Sequence, residues 1–191
     1  MLADWNWPGH EGRPLEVEIY SVCEQVELLL NGKSLGRKET SRKKQWVAKW
    51  EVPYQPGVLR AVGFNGSQEA ASWELRTAGQ PCKVRLSADR TQIQADGQDL
   101  SYIVVEILDS NGVRHPKAEN LVQFEIEGPG SIIAVGSSNP MGTESFQQPR
   151  RRAYQGRCLV IVRSEPKAGS ILLKASAEGL KPAQVNIISS P

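Results

Sequence analysis

With 191 residues, 39% of them hydrophobic and 23% charged, the chain can bury one large core or two ordinary ones. A formal net charge of +2, with basic and acidic residues balanced up to Gly79 and a small basic excess beyond it, lacks the basic footprint of a nucleic-acid binder. Cys23, Cys82 and Cys158 are too far apart for a CxxC metal or redox pattern, and their odd number argues against a disulfide framework. No apolar run approaches the roughly eighteen residues of a membrane span. Asp4-Trp5-Asn6-Trp7-Pro8 stands where a signal peptide would carry its charged and apolar regions, and reads instead as the start of a domain after a cut.

Residues 1–14 are rich in turn formers. Leu15–Tyr20 then alternates apolar and polar, as a half-buried strand does. In Gln25–Gly36 the side chains of Val26, Leu28 and Leu30 fall on one face, and Asn31-Gly32 supplies a type I′ turn before a short return strand. Gln45–Val52 reads as a strand whose core face carries Trp46, Ala48, Trp50 and Val52. Val58–Phe64 and Ser67–Arg76 form another hairpin around Asn65-Gly66, with Trp73 packed.

Thr77–Pro81 is the natural boundary, after which the pattern restarts. Strands are expected over Leu100–Leu108, Leu121–Glu127, Ser131–Val135, Arg157–Arg163, Ser170–Ala177 and Ala183–Ile188, with Gly128-Pro129-Gly130 kinking the backbone. Gly136–Arg152 is a long polar loop, the segment most free to carry function. The fold class is therefore all-β, two tandem immunoglobulin-like antiparallel β-sandwich domains spanning 1–79 and 80–191.

Three sets of residues, in the order DWNWPG, VELLLNGKSLG and Trp50–Gly57, resemble the small β-sandwich that follows the catalytic barrel in bacterial β-galactosidases of glycoside hydrolase family 2. Leu86–Asp89, Ala95–Ser101, Val105–Asp109, Gly128–Gly130, Ala153–Gly156 and Ala168-Gly169 resemble the C-terminal immunoglobulin-like domain of the same enzymes. Where these enzymes read Gly-Asn-Gly-Asp-Pro, the chain has Gly136-Ser137-Ser138-Asn139-Pro140, so no role of that loop is carried over. The resemblance implies a bacterial parent enzyme, periplasmic or secreted, whose barrel precedes this chain and is its partner.

Retaining glycosidases need two carboxyl groups roughly 5 Å apart. In this family they sit on a barrel of about 250 residues with βα alternation, which this chain is too short to form. His10 and His115 lie far apart beside turn residues and assemble neither a triad nor a zinc site. No catalytic residue, metal site or cofactor is therefore expected. The acids Asp89, Asp96, Asp99 and Asp109 read as turn formers rather than calcium ligands. Arg42-Lys43-Lys44 and Arg150-Arg151-Arg152 read as solvated loop faces, with Arg152 the alternative as an anchor beside Tyr154.

Trp5, Trp7 and His10 are the residues expected to meet either a neighbouring domain or a carbohydrate. The function expected is a pair of non-catalytic accessory domains supporting a glycoside hydrolase barrel or its cleft edge. A carbohydrate-binding module and a cell-surface or adhesion tandem are the alternatives.

Overall fold

The structure is a computed structural model and describes residues 3–191. The chain divides into two compact units, Met1–Thr77 and Ala78–Pro191. Both are built from β-strands, and the only helical element among the described residues is a single 3-10 turn, Arg42–Lys44.

In the first unit β1 (Pro14–Tyr20) pairs antiparallel with β4 (Val47–Pro53). This two-stranded sheet faces a four-stranded one ordered β3-β2-β5-β6, made of β2 (Gln25–Leu30), β3 (Lys33–Glu39), β5 (Val58–Asn65) and β6 (Gln68–Arg76). Alternation puts Val26, Leu28 and Leu30 of β2 and Ala48, Trp50 and Val52 of β4 into one core, closed by Leu59, Tyr54 and Trp5. Asn31 (φ 50) and Gly32 (φ 81) make the β2–β3 turn with two positive φ angles, as a type I′ turn requires. The second hairpin turns one residue later than the sequence suggests. Asn65 pairs with Gln68, so Gly66 (φ 60) and Ser67 are the central residues, and the Asn65 side chain instead accepts a hydrogen bond from the Glu24 N–H.

Two tryptophans depart from expectation. Trp46 precedes β4 instead of joining it. Gln45 (φ 55) and Trp46 (φ 62) both take left-handed conformations, which breaks the alternation and leaves Trp46 42% exposed. Each such residue costs roughly 1–2 kcal/mol. Trp73 sits opposite Ala61 on the face turned towards the core, yet it is 72% exposed. The opposing sheet has only two strands and is too narrow to cover the β6 edge.

The second unit packs a five-stranded sheet, ordered β12-β10-β14-β15-β8, against a four-stranded sheet, ordered β11-β13-β9-β7. Its strands are β7 (Lys83–Ala88), β8 (Gln92–Gln94), β9 (Leu100–Leu108), β10 (Leu121–Glu127), β11 (Gly130–Gly136), β12 (Arg150–Arg152), β13 (Arg157–Ser164), β14 (Gly169–Ser176) and β15 (Ala183–Ser190). Ile103, Val105 and Ile107 of β9, Val160 and Val162 of β13, and Ile171 and Leu173 of β14 form a fully buried centre. One pairing breaks the antiparallel pattern: β8 runs parallel to β15 at the sheet edge.

Candidate functional site

The N-terminal segment is tied into the first unit at both ends of its first tryptophan. The Trp5 indole Nε1 donates to the Gln55 carbonyl at 3.0 Å, and its ring meets Tyr54 edge-on at 5.2 Å. The Trp5 carbonyl accepts from Thr77 Oγ1 at 2.6 Å. At 2% exposure, Trp5 is core and offers no face to a ligand. Trp7 and His10 are half-buried, and their rings approach edge-on at 6.2 Å. The structure therefore brings two of the three expected residues together at the surface and places the third beneath them in chain order, inside the fold.

In the second unit the notable groups are buried charges that the chain order conceals. Glu106 on β9 lies directly opposite Arg85 on β7 and Arg157 on β13. Arg157 approaches Glu106 Oε1 with Nε at 2.9 Å and a terminal nitrogen at 2.8 Å. Arg85 donates to Oε2 through Nε at 3.1 Å and through a terminal nitrogen. Arg114 Nε stands 3.9 Å from Oε1. Burial alone would push the Glu106 carboxyl up, but the Arg85 and Arg157 guanidiniums outweigh it and hold it below the ordinary glutamate range.

Asp109 is likewise buried and likewise held low. Burial opposes its ionised form, but the N–H groups of Gly79 (2.8 Å), Val113 (2.8 Å) and Asn111, helped by Lys83, favour it more strongly. The other acids serve turns. Asp96 accepts from the N–H groups of Gln98 and Asp99, and Asp99 accepts from those of Gln94 and Leu100 and from Arg90. Both are held below the ordinary aspartate range, first by those backbone donors. A general acid needs the opposite shift, a carboxyl kept protonated near neutral pH.

The loop between β11 and β12 is ordered by one buried cation. Arg151, read from sequence as part of a solvated basic run, is 1% exposed. Its guanidinium donates to the Glu144 carbonyl at 3.0 Å and to Ser137 Oγ at 3.3 Å, and it lies 5.0 Å from the Phe146 ring centroid. Arg152, the anchor considered from sequence, instead bonds the Glu119 carbonyl at 3.0 Å. The strand alternation of β12 explains the exchange: Arg151 pairs with the core residue Val122, so it points inward while its neighbours point out. Cys158 lies buried nearby, and burial pushes its thiol up to about 12, which keeps it from acting as a nucleophile near neutrality.

Sequence reasoning missed the Arg85–Glu106–Arg157 ladder and the inward turn of Arg151. The ladder joins residues 21 and 51 positions apart, and only the strand register aligns them.

Two antiparallel β-sandwich units in tandem define the class of the chain as an all-β double-sandwich module. The profile described as glycoside hydrolase family 2 C-terminal domain 5 matches residues 84–186, and a profile described as a domain of unknown function matches residues 12–71. The chain belongs to glycoside hydrolase family 2. It is 38% identical to the β-galactosidase BoGH2A of Bacteroides ovatus over 98% of its own length but only 22% of that protein's. A putative β-glucuronidase of Formosa agariphila is 31% identical over 92% of the chain and 17% of the relative. Among solved structures, a glycosyl hydrolase family 2 member from Bacteroides cellulosilyticus superimposes with a TM-score of 0.96 at 46% identity, covering 100% of this chain and 24% of that one. The chain thus spans roughly a sixth to a quarter of the length of these relatives.

Proposed function

We propose that the chain is the accessory β-sandwich part of a β-galactosidase-type family 2 glycosidase and that it supports the catalytic barrel or one edge of its cleft. Residues 1–79 would be the module that follows the barrel, and residues 80–191 the C-terminal immunoglobulin-like domain. The observation that carries this reading is the match over nearly the whole chain to about a fifth of a named β-galactosidase. The chemistry of the chain agrees with it, because Glu106 and Asp109 are held ionised and can donate no proton to a leaving group at neutral pH. In this reading the Trp7–His10 pair is where the first unit meets the barrel.

The test has two arms. The 191-residue chain, incubated with p-nitrophenyl β-D-galactopyranoside and with the corresponding β-D-glucuronide, should release nitrophenol no faster than buffer. The full-length parent enzyme should lose thermal stability when this segment is deleted, and should lose part of that stability when Trp7 alone is replaced by alanine. Turnover by the isolated chain, or a deletion that leaves the parent's stability and kcat/KM untouched, overturns the proposal.

A further inference from the structure

The first unit contains a pocket of about 470 Å3 in which Trp46 stands beside Val22, Glu24, Gln25, Glu39 and Arg42. Its volume falls in the size class of small-ligand sites. We propose that this pocket binds a neutral saccharide, with the sugar ring laid against the Trp46 indole. This inference is separate from the supporting role proposed above and would stand if that role failed.

Backbone geometry gives the first reason. Gln45 and Trp46 are consecutive non-glycine residues in the left-handed region, where glycine or asparagine is the economical choice. The conformation is enforced from several sides. Gln45 N–H donates to the Arg42 carbonyl at 3.1 Å, Trp46 N–H to the Ser41 carbonyl at 2.9 Å, and Ser21 N–H to the Trp46 carbonyl at 3.0 Å. The chain thus uses strained backbone to hold a bulky indole half out of the core, and strain of this kind collects at ligand sites.

The second reason is the chemistry of the walls. Trp46 and the exposed Val22 offer apolar surface. Around them lie two carboxylates, an amide and a guanidinium, the planar donors and acceptors that match vicinal hydroxyl groups. Apolar C–H face against indole and hydroxyls against planar polar groups is the complement of a pyranose ring. Charge narrows the ligand further. The lining holds two carboxylates and one guanidinium, and Lys44 pairs with Glu39 at 3.4 Å, so the charges nearly balance and no cationic excess favours an anionic sugar over a neutral one.

The third reason is that the walls are fixed before any ligand arrives. Thr40 is buried, donates its hydroxyl to the Cys23 carbonyl and its N–H to the Glu24 carbonyl at 2.9 Å, and so ties the two sides of the pocket together. Glu24 is aimed by the Gly66 N–H, which donates to its Oε2 at 2.7 Å and leaves Oε1 available. A preformed site avoids the ordering cost that weakens sugar binding by flexible loops.

The experiment is calorimetric titration of the 191-residue chain with β-1,4-galactotetraose and with xylotetraose, and with tetragalacturonate as the anionic comparison. Binding of at least one neutral tetrasaccharide, and weaker binding of the anionic one, is expected. Trp46→Ala should weaken binding about tenfold or more, as loss of an aromatic stacking partner does. Trp46→Phe should keep most of it, and Trp73→Ala, which removes an exposed tryptophan outside the pocket, should leave it unchanged. If Trp46→Ala disturbs folding, Gln25→Ala serves in its place and should weaken binding about fivefold through a lost hydrogen bond. Absence of heat with both neutral sugars, equal binding by the Trp46→Ala and parent chains, or undiminished binding by Gln25→Ala overturns the proposal.

Discussion

Replacing Glu106 by glutamine should lower the stability of the Ala78–Pro191 unit by about 2–3 kcal/mol at neutral pH. The substitution preserves shape and removes only the charge, so Arg85, Arg157 and Arg114 are left facing one another around a neutral amide. Removing one partner of a fully buried ion pair costs about 3–5 kcal/mol. Here the figure is lower because the Arg85 and Arg157 side chains are about half exposed and can swing into water.

The pH dependence has a definite sign. The folded carboxyl lies below its ordinary value of 4.5, so between the two values the unfolded chain binds the extra proton and stability rises with pH. The contribution is complete above the unfolded value and is lost as pH falls through the folded one. Urea unfolding at pH 7 and at pH 3 should therefore separate parent and Glu106→Gln widely at the higher pH and narrow the difference at the lower. Parallel curves at both would show that the guanidinium ladder does not hold the strands.

Gly128→Ala should destabilise the same unit by about 3–4 kcal/mol, the sum of left-handed backbone strain and overpacking. Gly128 has φ 94, and a methyl group there would lie 2.1 Å from the Ser170 carbonyl oxygen on β14. That neighbour is backbone held in a sheet and cannot swing aside. Gly179→Ala isolates the two contributions. Its φ of 72 carries the same kind of strain, but nothing lies within 4 Å of the added methyl, so a cost near 1 kcal/mol is expected. Chemical denaturation of both variants checks the pair, and equal losses would remove close approach from the explanation.

The Gly128-Pro129-Gly130 run was legible as a kink, but not its cause. Both glycines abut β14, where a Gly130 methyl would meet Ile171 at 2.8 Å, and nothing in the local pattern names that neighbour. The strands themselves were readable because alternation is a local property: Val26, Leu28 and Leu30 face the core as their spacing requires. Alternation misled where the backbone entered the strand late, at Gln45-Trp46, and where the opposing layer ended short, at Trp73. It also concealed Arg151, since one inward position among three arginines resembles any basic turn until the partner strand is known. The candidate pocket was illegible for the same reason. It gathers residues 22–25 and 39–46, and their meeting depends on the β2–β3 hairpin and the tie from Thr40 to Cys23.

All five tryptophans lie in the Met1–Thr77 unit and none in Ala78–Pro191. Intrinsic indole emission is therefore a reporter of one half of the molecule alone, whereas far-ultraviolet circular dichroism sums the strands of both. Unfolding followed by the two signals should give coincident midpoints if the units melt as one body and separate midpoints if each melts alone. Coincidence of the curves would show cooperative melting, and a gap would report the difference in stability between the two halves, without any label or substitution.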